Sequence, residues 1–310
     1  MGIKEVLKKS RLICRIYNAL YNGIFSAATV ISPKLNTKMI YKSAFGKKLD
    51  LDNPKTLNEK ILWLKLNRYM NDPLVIKCAD KYAVREYIEE CGCGEILNDL
   101  IAVWDSVDEI KWNELPDQFV IKWNFGAGMN IICDNKATLD INQTKKKLKR
   151  WGKNKYWLRH SEMQYKYAPK KMICEKYLND GTGAQPTDYK VYCFNGKAEY
   201  IMICVGRALG LPKFYFYDRE WNLCRLNRDS IDAPKDFAWE KPNCIDAIFE
   251  YAEMLASPFP FVRADFYAIN DAVYFGELTF TPAGGVDSSR LPETDVLFGE
   301  KVDLNYNKNL

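Results

Sequence analysis

The sequence has a single histidine among its 310 residues. A Ser-His-Asp triad needs a histidine as its general base, so only His160 could serve in one. His160 lies in the basic and aromatic stretch WLRHSEMQYKY, and we interpret it as a surface residue rather than a catalytic one. The scarcity of histidine therefore argues against histidine-dependent catalysis.

Cysteine spacings typical of zinc sites and disulfide frameworks are also missing. None of the ten cysteines belongs to a C-x-x-C pair, and the closest two, Cys91 and Cys93, flank a single glycine. That spacing suits neither a metal site nor a disulfide framework. We expect reduced thiols and a cytoplasmic location.

Acidic residues are almost absent from residues 1–48, which carry ten lysines and arginines against Glu5 alone. Apolar residues recur at helical spacing from Val6 to Leu20, with basic residues between them, which predicts a basic amphipathic helix. The apolar run 19–31 is too short to span a bilayer comfortably. Two interpretations stay open: peripheral contact with the anionic inner membrane surface, or a helix packed on the body with its lysines solvated.

The rest of the chain predicts an α+β architecture, with helices early and antiparallel hairpins late. Helical patterns cover residues 57–66, beginning near Asn53 and Pro54, and residues 73–91, 139–151 and 243–255. Strand patterns cover residues 119–123, 172–177, 189–194, 198–205, 261–268 and 273–280. Asn195-Gly196 predicts a tight hairpin turn between two of these strands.

The most informative stretch is FVRADFYAINDAVYFGELTFTPAGG, residues 261–285. A loop of three residues at 270–272 would place Asp265 opposite Glu277 on one face of a hairpin. The even-numbered face is almost wholly apolar: Val262, Ala264, Phe266, Ala268, Tyr274, Leu278 and Phe280. The odd-numbered face is mostly polar: Arg263, Asp265, Tyr267, Phe275, Glu277 and Thr279.

Two opposed carboxylates repel each other unless a cation or a proton lies between them. Magnesium prefers oxygen ligands, usually one or two carboxylates with substrate phosphates, and Thr279 adds a neutral oxygen on the same face. The hairpin therefore predicts a magnesium site. The alternative is a surface hairpin in which Asp265 pairs with Arg263 and Glu277 is solvated.

A second candidate segment is FVIKWNFGAGMN, where the strand bearing Lys122 enters a loop with Gly126 and Gly128. A lysine beside backbone amides freed by glycine can bind polyphosphate oxygens. The segment is neither a Walker A motif nor a Rossmann fingerprint, and alone it is equally typical of an edge strand before a turn.

Two shorter segments, CEKYL and TDYKVYCFNGK, supply Glu175 on one strand and Asp188 and Lys190 on another. Taken separately, Glu175 is as typical of a solvated strand end. Asp188 and Lys190 are as typical of an exposed ion pair.

The order of these segments resembles the ATP-grasp superfamily, and specifically its TupA-like branch, which is associated with teichuronopeptide and capsular polysaccharide biosynthesis. The resemblance spans about residues 50–300 through NPKTLNEKILWLK, ADKYAVREYI, FVIKWNFGAG, CEKYL, DYKVYCFNGK and RADFY...GELTFTPAGG. It implies an ATP-grasp fold in which two α+β subdomains grip ATP. The implied divisions are a basic N-terminal segment (1–48), an N-terminal subdomain (49–117), a small lid subdomain (118–178) and a C-terminal subdomain with the metal hairpin (179–310).

The resemblance also implies the site. ATP would be held by Lys122, Gly126, Gly128, Glu175, Lys176, Tyr177, Leu178, Asp188 and Lys190. Lys122 and Lys190 would contact phosphates, and the CEKYL strand would line the adenine and ribose pocket. Mg²⁺ would be held by Asp265, Glu277 and Thr279. Thr279 stands where most ATP-grasp enzymes have asparagine, which is a departure at the third metal ligand.

By the same resemblance, ATP would phosphorylate a carboxylate and an amine would then attack the acyl phosphate to form an amide. Lys190 would act in catalysis, and Arg263 would either stabilise the acyl phosphate or hold Asp265. Gly284, Gly285 and Ser288 would form a loop that binds the substrate carboxylate. A uronic acid and an amino acid are the expected substrates, with free amino acids or peptides left open.

Two other function classes stay open at this point. A polysaccharide glycosyltransferase needs a sugar-nucleotide site, but the one D-x-D match, residues 50–52, lies in a predicted linker. A basic module that binds membranes or nucleic acid is the non-enzymatic alternative. Because the basic excess is confined to the first 48 residues, we do not expect nucleic acid as a partner.

Overall fold

The computed structural model describes residues 11–179, 181, 186–206 and 210–307, with side chains from residue 20 onward. Val6, Leu7, Lys8 and Lys9, on which part of the amphipathic pattern rests, lie outside the described residues. In the described part, the helix that follows them is α1, Arg11–Ile31. None of the described helices is both long enough and apolar enough to cross a bilayer.

Two antiparallel sheets organise the described part of the chain, one in the order β1-β4-β2-β3 and the other in the order β10-β9-β5-β6-β7-β8. The strands are β1 Leu100–Trp104, β2 Phe119–Trp123, β3 Asn130–Cys133, β4 Met172–Lys176, β5 Asp188–Phe194, β6 Lys197–Val205, β7 Lys213–Tyr217, β8 Leu223–Cys224, β9 Phe261–Ile269 and β10 Ala272–Thr279. The predicted α+β class is confirmed, and each predicted strand is present to within one or two residues at its ends.

The helices flank these sheets and precede them. They are α1 Arg11–Ile31, α2 Pro33–Phe45, α3 Leu57–Leu64, α4 Pro73–Ala79, α5 Val84–Glu90, α6 Ile141–Gly152, α7 Trp157–His160, α8 Gln164–Tyr167, α9 Arg228–Ile231, α10 Ile245–Ala256 and α11 Pro292–Glu300. Each sheet has a hydrophobic core of its own. The four-stranded sheet packs Phe119 and Ile121 against Leu148 of α6, and the six-stranded sheet packs Phe261 against Phe249 of α10.

Two helix predictions need correction. The helix predicted over residues 57–66 does begin at Leu57, but the start signal placed at Asn53 and Pro54 is wrong, because the N-cap is Thr56, which forms a reciprocal capping box with Glu59. The predicted single helix over 73–91 is wrong as well, since it breaks into α4 and α5 at Asp80. The Asp80 carboxylate accepts hydrogen bonds from the backbone amides of Tyr82 and Ala83, which competes with helix continuation.

The β9–β10 hairpin has a shorter turn than predicted. Ala272 pairs with Ile269, so the loop contains only Asn270 and Asp271, both at positive φ as in the tight turns that match strand twist. A bulge at Gly276 then shifts the register by one residue. A Cβ on Gly276 would lie 2.9 Å from the Asp265 carbonyl oxygen, which explains the glycine.

Because of the bulge, Asp265 pairs with Glu277 as predicted, but two other residues of β10 lie on the opposite face of the hairpin from the one predicted. Phe275 lies opposite Phe266 and its ring packs against that ring in the core, whereas Tyr274 lies opposite Tyr267. The assignment of Phe275 to the polar face and Tyr274 to the apolar face was therefore wrong.

Candidate active site

Buried charges gather where β5 and β9 lie side by side. Lys190 is paired directly with Asp265 in the sheet, and its Nζ lies 2.7 Å from Asp265 Oδ2 and 2.7 Å from Asp188 Oδ2. Arg263 donates two hydrogen bonds to the same carboxylate, Nε to Oδ1 at 2.7 Å and Nη2 to Oδ2 at 2.6 Å. The interpretation of Asp188 and Lys190 as an exposed pair is wrong, since both are buried.

The ion pairs fix the protonation of this cluster. Burial disfavours the charged form of Asp265, but Arg263 and Lys190 outweigh it and hold the pKa of Asp265 below its ordinary value. Burial also disfavours protonated Lys190, yet the Asp265 carboxylate raises the pKa of Lys190 above its ordinary value. The cluster is therefore charged on both sides at neutral pH.

Glu277 and Thr279 extend this cluster across β10. Arg263 Nη2 donates to Thr279 Oγ1 at 3.3 Å, and Thr279 Oγ1 donates to Glu277 Oε1 at 3.3 Å. Glu277 Oε2 lies 3.4 Å from Lys81 Nζ, and the Glu277 side chain is 36% exposed. The pairing of Asp265 with Arg263 that the surface-hairpin alternative predicted is therefore present, but Asp265 is only 3% exposed, so the prediction that the hairpin lies at the surface is wrong.

The oxygen atoms of this face are of the chemical type that magnesium binds. Two carboxylates and a hydroxyl on adjacent strands form an all-oxygen donor set, which is the set that Mg²⁺ prefers. Within the described residues, no group of three or more His, Cys, Asp or Glu side chains could hold a metal by itself. Further ligands would have to come from phosphate oxygens or water, as is usual for magnesium bound with a nucleotide.

Lys122 and Glu175 form a second ion pair on the four-stranded sheet. Lys122 Nζ donates to Glu175 Oε2 at 2.7 Å, and Arg85 Nη1 lies 3.6 Å from Glu175 Oε1. Glu175 is only 8% exposed. It is therefore a buried, paired carboxylate, and its interpretation as a solvated strand end is wrong.

A cavity of 280 Å³ opens beside Lys122 and is lined by residues from both sheets. Its lining residues are Asn98, Val120, Lys122, Asn130, Ile132, Tyr177, Leu178, Pro186 and Tyr267. Val120, Ile132 and Leu178 give it apolar walls, and Tyr267 shares the sheet face of Asp265 two residues away. A cavity with apolar walls, flanking polar side chains and a lysine at one side suits a flat ring attached to a charged group.

The glycine loop joins the two clusters. Gly126 and Gly128 have positive φ, and Lys81 Nζ donates to the Gly126 carbonyl at 2.6 Å while it also lies beside Glu277. A Cβ on Gly126 would lie 2.6 Å from the Tyr156 ring, so a side chain has no room there. Lys81 thus connects the glycine loop of the small sheet with the carboxylates of the large sheet.

The side chain of one predicted site residue, Lys176, lies apart from the other predicted site residues. The Lys176 side chain is exposed and its Nζ lies 3.3 Å from Asp99 Oδ2, and it lines an open groove away from Lys122. Only its backbone remains near the cavity, where its carbonyl accepts a hydrogen bond from Asn98 Nδ2 at 2.8 Å.

Sequence reasoning missed Lys81 and Arg85, which complete the two ion clusters. Both belong to ADKYAVREYI, which was used for the resemblance without any residue being singled out. Lys81 follows Asp80 directly, and Asp80 Oδ2 accepts from Asn124 Nδ2 at 2.6 Å, which ties this segment to the end of β2. The signal that could have identified them is a pair of basic residues four positions apart, which precedes the predicted glycine loop in the sequence.

The TupA-like ATP-grasp family model matches residues 59–303, most of the chain. The chain belongs to this family. The predicted recognition is confirmed, and the predicted class, an ATP-dependent ligase of the ATP-grasp type, is the class of this family. No curated protein sequence matches this TupA-like chain.

Several solved structures are similar in fold to this TupA-like protein. D-alanine–D-alanine ligase from Bacillus anthracis is 15% identical, with 73% of this chain and 67% of that chain covered and a TM-score of 0.41. N5-carboxyaminoimidazole synthetase from Staphylococcus aureus, complexed with ADP, is 14% identical, with 71% and 49% covered and a TM-score of 0.43. D-alanine–D-alanine ligase from Coxiella burnetii is 10% identical, with 79% and 59% covered and a TM-score of 0.42. The chain thus spans about half to two thirds of the length of these proteins, and the likeness concerns the fold alone.

Proposed function

We propose that this protein uses ATP to activate a carboxylate as an acyl phosphate and joins it to an amine as an amide. The observation that carries the proposal is the position of Lys81, which contacts both the Gly126 carbonyl and Glu277. A lysine and glycine loop suited to phosphates and a carboxylate pair suited to magnesium are thereby held next to each other.

The proposed roles follow from chemistry and position. Lys122 and Lys190 bind phosphate oxygens, and the cavity lined by Tyr177 and Leu178 takes the adenine ring. Magnesium, when held by Asp265, Glu277 and Thr279, neutralises charge on the transferred phosphoryl group. Arg263 lies on the same face and stabilises the acyl phosphate. Phosphoryl transfer requires mainly positioning and charge neutralisation, which these residues supply.

The proposed carboxylate is a uronic acid and the proposed amine an amino acid, in the cytoplasmic steps of bacterial surface polysaccharide biosynthesis. Membership of the TupA-like family supports this choice. The open polar face around Glu277 also supports it, since a large sugar acid needs an exposed approach.

The first test is acyl phosphate trapping. With ATP, magnesium, hydroxylamine and glucuronate or galacturonate, the protein should release ADP and form a hydroxamate. Replacing Lys122 with Met should lower kcat/KM for ATP about 10–100-fold, because a charge-assisted hydrogen bond contributes about 1.5–3 kcal/mol. Lys149→Met is the matched control, since Lys149 lies on α6 and pairs only with the exposed Asp108 among the contacts described.

Two results would count against the ligase proposal. If folded protein bound no ATP, sugar nucleotides would become the next ligands to examine. If Lys122→Met and Lys149→Met had the same kinetics as the wild type, Lys122 would have no phosphate role.

We also propose that the N-terminal hairpin, the helix pair α1 and α2 (Arg11–Ile31 and Pro33–Phe45), contacts an anionic membrane surface. Leu20, Ile24 and Ile31 lie at helical spacing on α1 and are 64, 59 and 76% exposed, while Phe25 packs inward.

On α2 the exposed residues Lys34, Lys38 and Lys42 form a basic stripe at the same repeat. The chain has no acidic residue between Glu5 and Asp50. Exposed apolar residues on one helix and exposed lysines on the next suit the boundary of anionic lipid.

Vesicle flotation tests the membrane proposal. Full-length protein should float with phosphatidylcholine vesicles that contain phosphatidylglycerol, and less with pure phosphatidylcholine. The triple variant Leu20→Ser, Ile24→Ser, Ile31→Ser should bind at least about 10-fold more weakly, because each side chain contributes about 1.5–3 kcal/mol when fully buried. Equal binding by variant and wild type, or association of the protein with itself instead of lipid, would contradict the proposal.

A further inference from the structure

A tight turn at residues 160–162 lies against the loop that follows the metal hairpin. Ser161 has φ +56°, unusual for a residue with a side chain, and is buried. Its Oγ accepts a hydrogen bond from Asn36 Nδ2 at 2.9 Å and lies 2.9 Å from Thr29 Oγ1. The N-terminal hairpin therefore fixes the turn in this conformation.

The turn brings His160 inward, so its interpretation as a surface residue is wrong. His160 Nδ1 is buried without a hydrogen-bond partner among the described residues. A Cβ on Gly284 would lie 2.6 Å from it, which places the loop Pro282–Gly285 directly over the turn. Burial, with the charges of Arg159 and Lys65, lowers the pKa of His160 to about 4.

Glu162, on the other side of Ser161, is 5% exposed and only half paired. Its Oε1 accepts a hydrogen bond from Thr281 Oγ1 at 2.5 Å, but its Oε2 is buried with no partner in the described part of the chain. Thr281 follows Thr279 by two residues, and Phe280 between them is turned into the core. Two residues of extended chain span roughly 6.5 Å, so Glu162 lies close to the magnesium face.

Lys65 supplies the opposite charge. It is 1% exposed, and its Nζ donates to the His160 carbonyl at 2.7 Å. The charges of Lys65 and Glu162 interact electrostatically. Their charged atoms are nevertheless more than 4.0 Å apart, so these two described residues form no ion pair. Burial raises the pKa of Glu162 and lowers that of Lys65. Buried charges without an oppositely charged partner are costly, and such groups are usually explained by a ligand or a function.

An amino acid zwitterion has the two charges that would satisfy this pair. Resting on the proposed ligase function, we propose that Glu162 and Lys65 form the site for the amine substrate, an α-amino acid. Its ammonium binds Glu162 Oε2 and its carboxylate binds Lys65 Nζ. This places the amine beside the end of the metal hairpin, where the acyl phosphate would form.

In the bond-forming step, Glu162 accepts one proton from the ammonium. The neutral amine attacks the acyl carbon, so that the C–N bond forms and the bond from carbon to the phosphate oxygen breaks. The second proton leaves the nitrogen with the departing phosphate, as HPO₄²⁻. Glu162 is then a catalytic residue for amide formation and not for acyl phosphate formation.

The test compares two nucleophiles on the variant Glu162→Gln. Hydroxylamine is largely unprotonated at neutral pH and needs no base, whereas glycine and L-alanine arrive as ammonium ions. With a uronic acid, Glu162→Gln should form hydroxamate at close to the wild-type rate and form amide at least about 100-fold more slowly, which is the lower end of the usual contribution of a general base. Equal loss of both products by a variant that still binds magnesium-ATP would overturn the proposal, because Glu162 would then only support the fold of the site.

The variant Lys65→Met tests the other half of the pair. It should raise KM for glycine at least about 10-fold, which is the effect of losing about 1.5 kcal/mol of charge-assisted binding. KM for methylamine, which has no carboxylate, should not change. Equal effects on glycine and methylamine would overturn the zwitterion site. If wild type formed no hydroxamate with any uronic acid tested, the ligase proposal would fail and this proposal with it.

Discussion

Replacing Asp265 with Asn should abolish magnesium-dependent ATP binding and also destabilise the protein. The Asp265 carboxylate pairs with both Arg263 and Lys190, and all three are largely buried. Removing one partner from a buried charge cluster costs about 3–5 kcal/mol. Titration calorimetry with magnesium-ATP and urea unfolding should show both effects in the same variant.

The matched control is Glu277→Gln, which should separate the two effects. Glu277 is 36% exposed and its contact with Lys81 is 3.4 Å long. A partly exposed ion pair contributes about 0–1 kcal/mol, so stability should change little. Magnesium-dependent binding should still be lost, because one of the two carboxylates is gone. Wild-type affinity in either variant would remove the hairpin from the proposed metal site.

Free Mn²⁺, used as a spectroscopic substitute for magnesium, should bind poorly to the protein alone and well in the presence of ADP. Three carboxylates, Asp188, Asp265 and Glu277, contact three cations. The cations are Lys190, Arg263 and Lys81. Because these charges already balance, a dication gains no net attraction until phosphates engage the cations. We expect the affinity for Mn²⁺ to rise at least about 100-fold, or ~2.7 kcal/mol.

Electron paramagnetic resonance of free Mn²⁺ measures this effect, with ADP in buffer as the reference for binding to nucleotide alone. Lys81→Met is an informative variant, since it removes one of the three cations and should strengthen binding of Mn²⁺ to the protein alone. Tight binding of Mn²⁺ to wild type without nucleotide, or no change in Lys81→Met, would contradict the charge-balance argument.

The β9–β10 hairpin shows which structural features sequence patterns predict and which they do not. Alternation of apolar and polar residues identified both strands and the pairing of Asp265 with Glu277. The predicted turn was nevertheless one residue too long, and the bulge at Gly276 compensated for the difference. Periodicity cannot reveal a bulge, because the insertion depends on the close approach of Gly276 to the Asp265 backbone in three dimensions.

The burial of polar and charged side chains was the second feature that the sequence did not predict. From the sequence, Asp188, Lys190 and Glu175 were equally compatible with exposed charges, and His160 was taken for a surface residue. Asp188, Lys190 and Glu175 are buried in the fold, and the Nδ1 atom of His160 is buried as well, because two sheets and the N-terminal hairpin cover segments that are distant in sequence. Lys81 and Arg85 were missed for the same reason, since their partners lie on other elements.

By itself, the sequence determined the fold class, the strands, the family and the residue types of the candidate site. These are local properties, since strand alternation, turn residues and motif order can be read along the chain. Only the tertiary structure decided which charges are paired, which are buried, and that Glu162 contacts Thr281 after the β9–β10 hairpin while Lys65 contacts His160. The physical reason is that desolvation and ion pairing depend on distances between segments that the sequence separates by about a hundred residues or more.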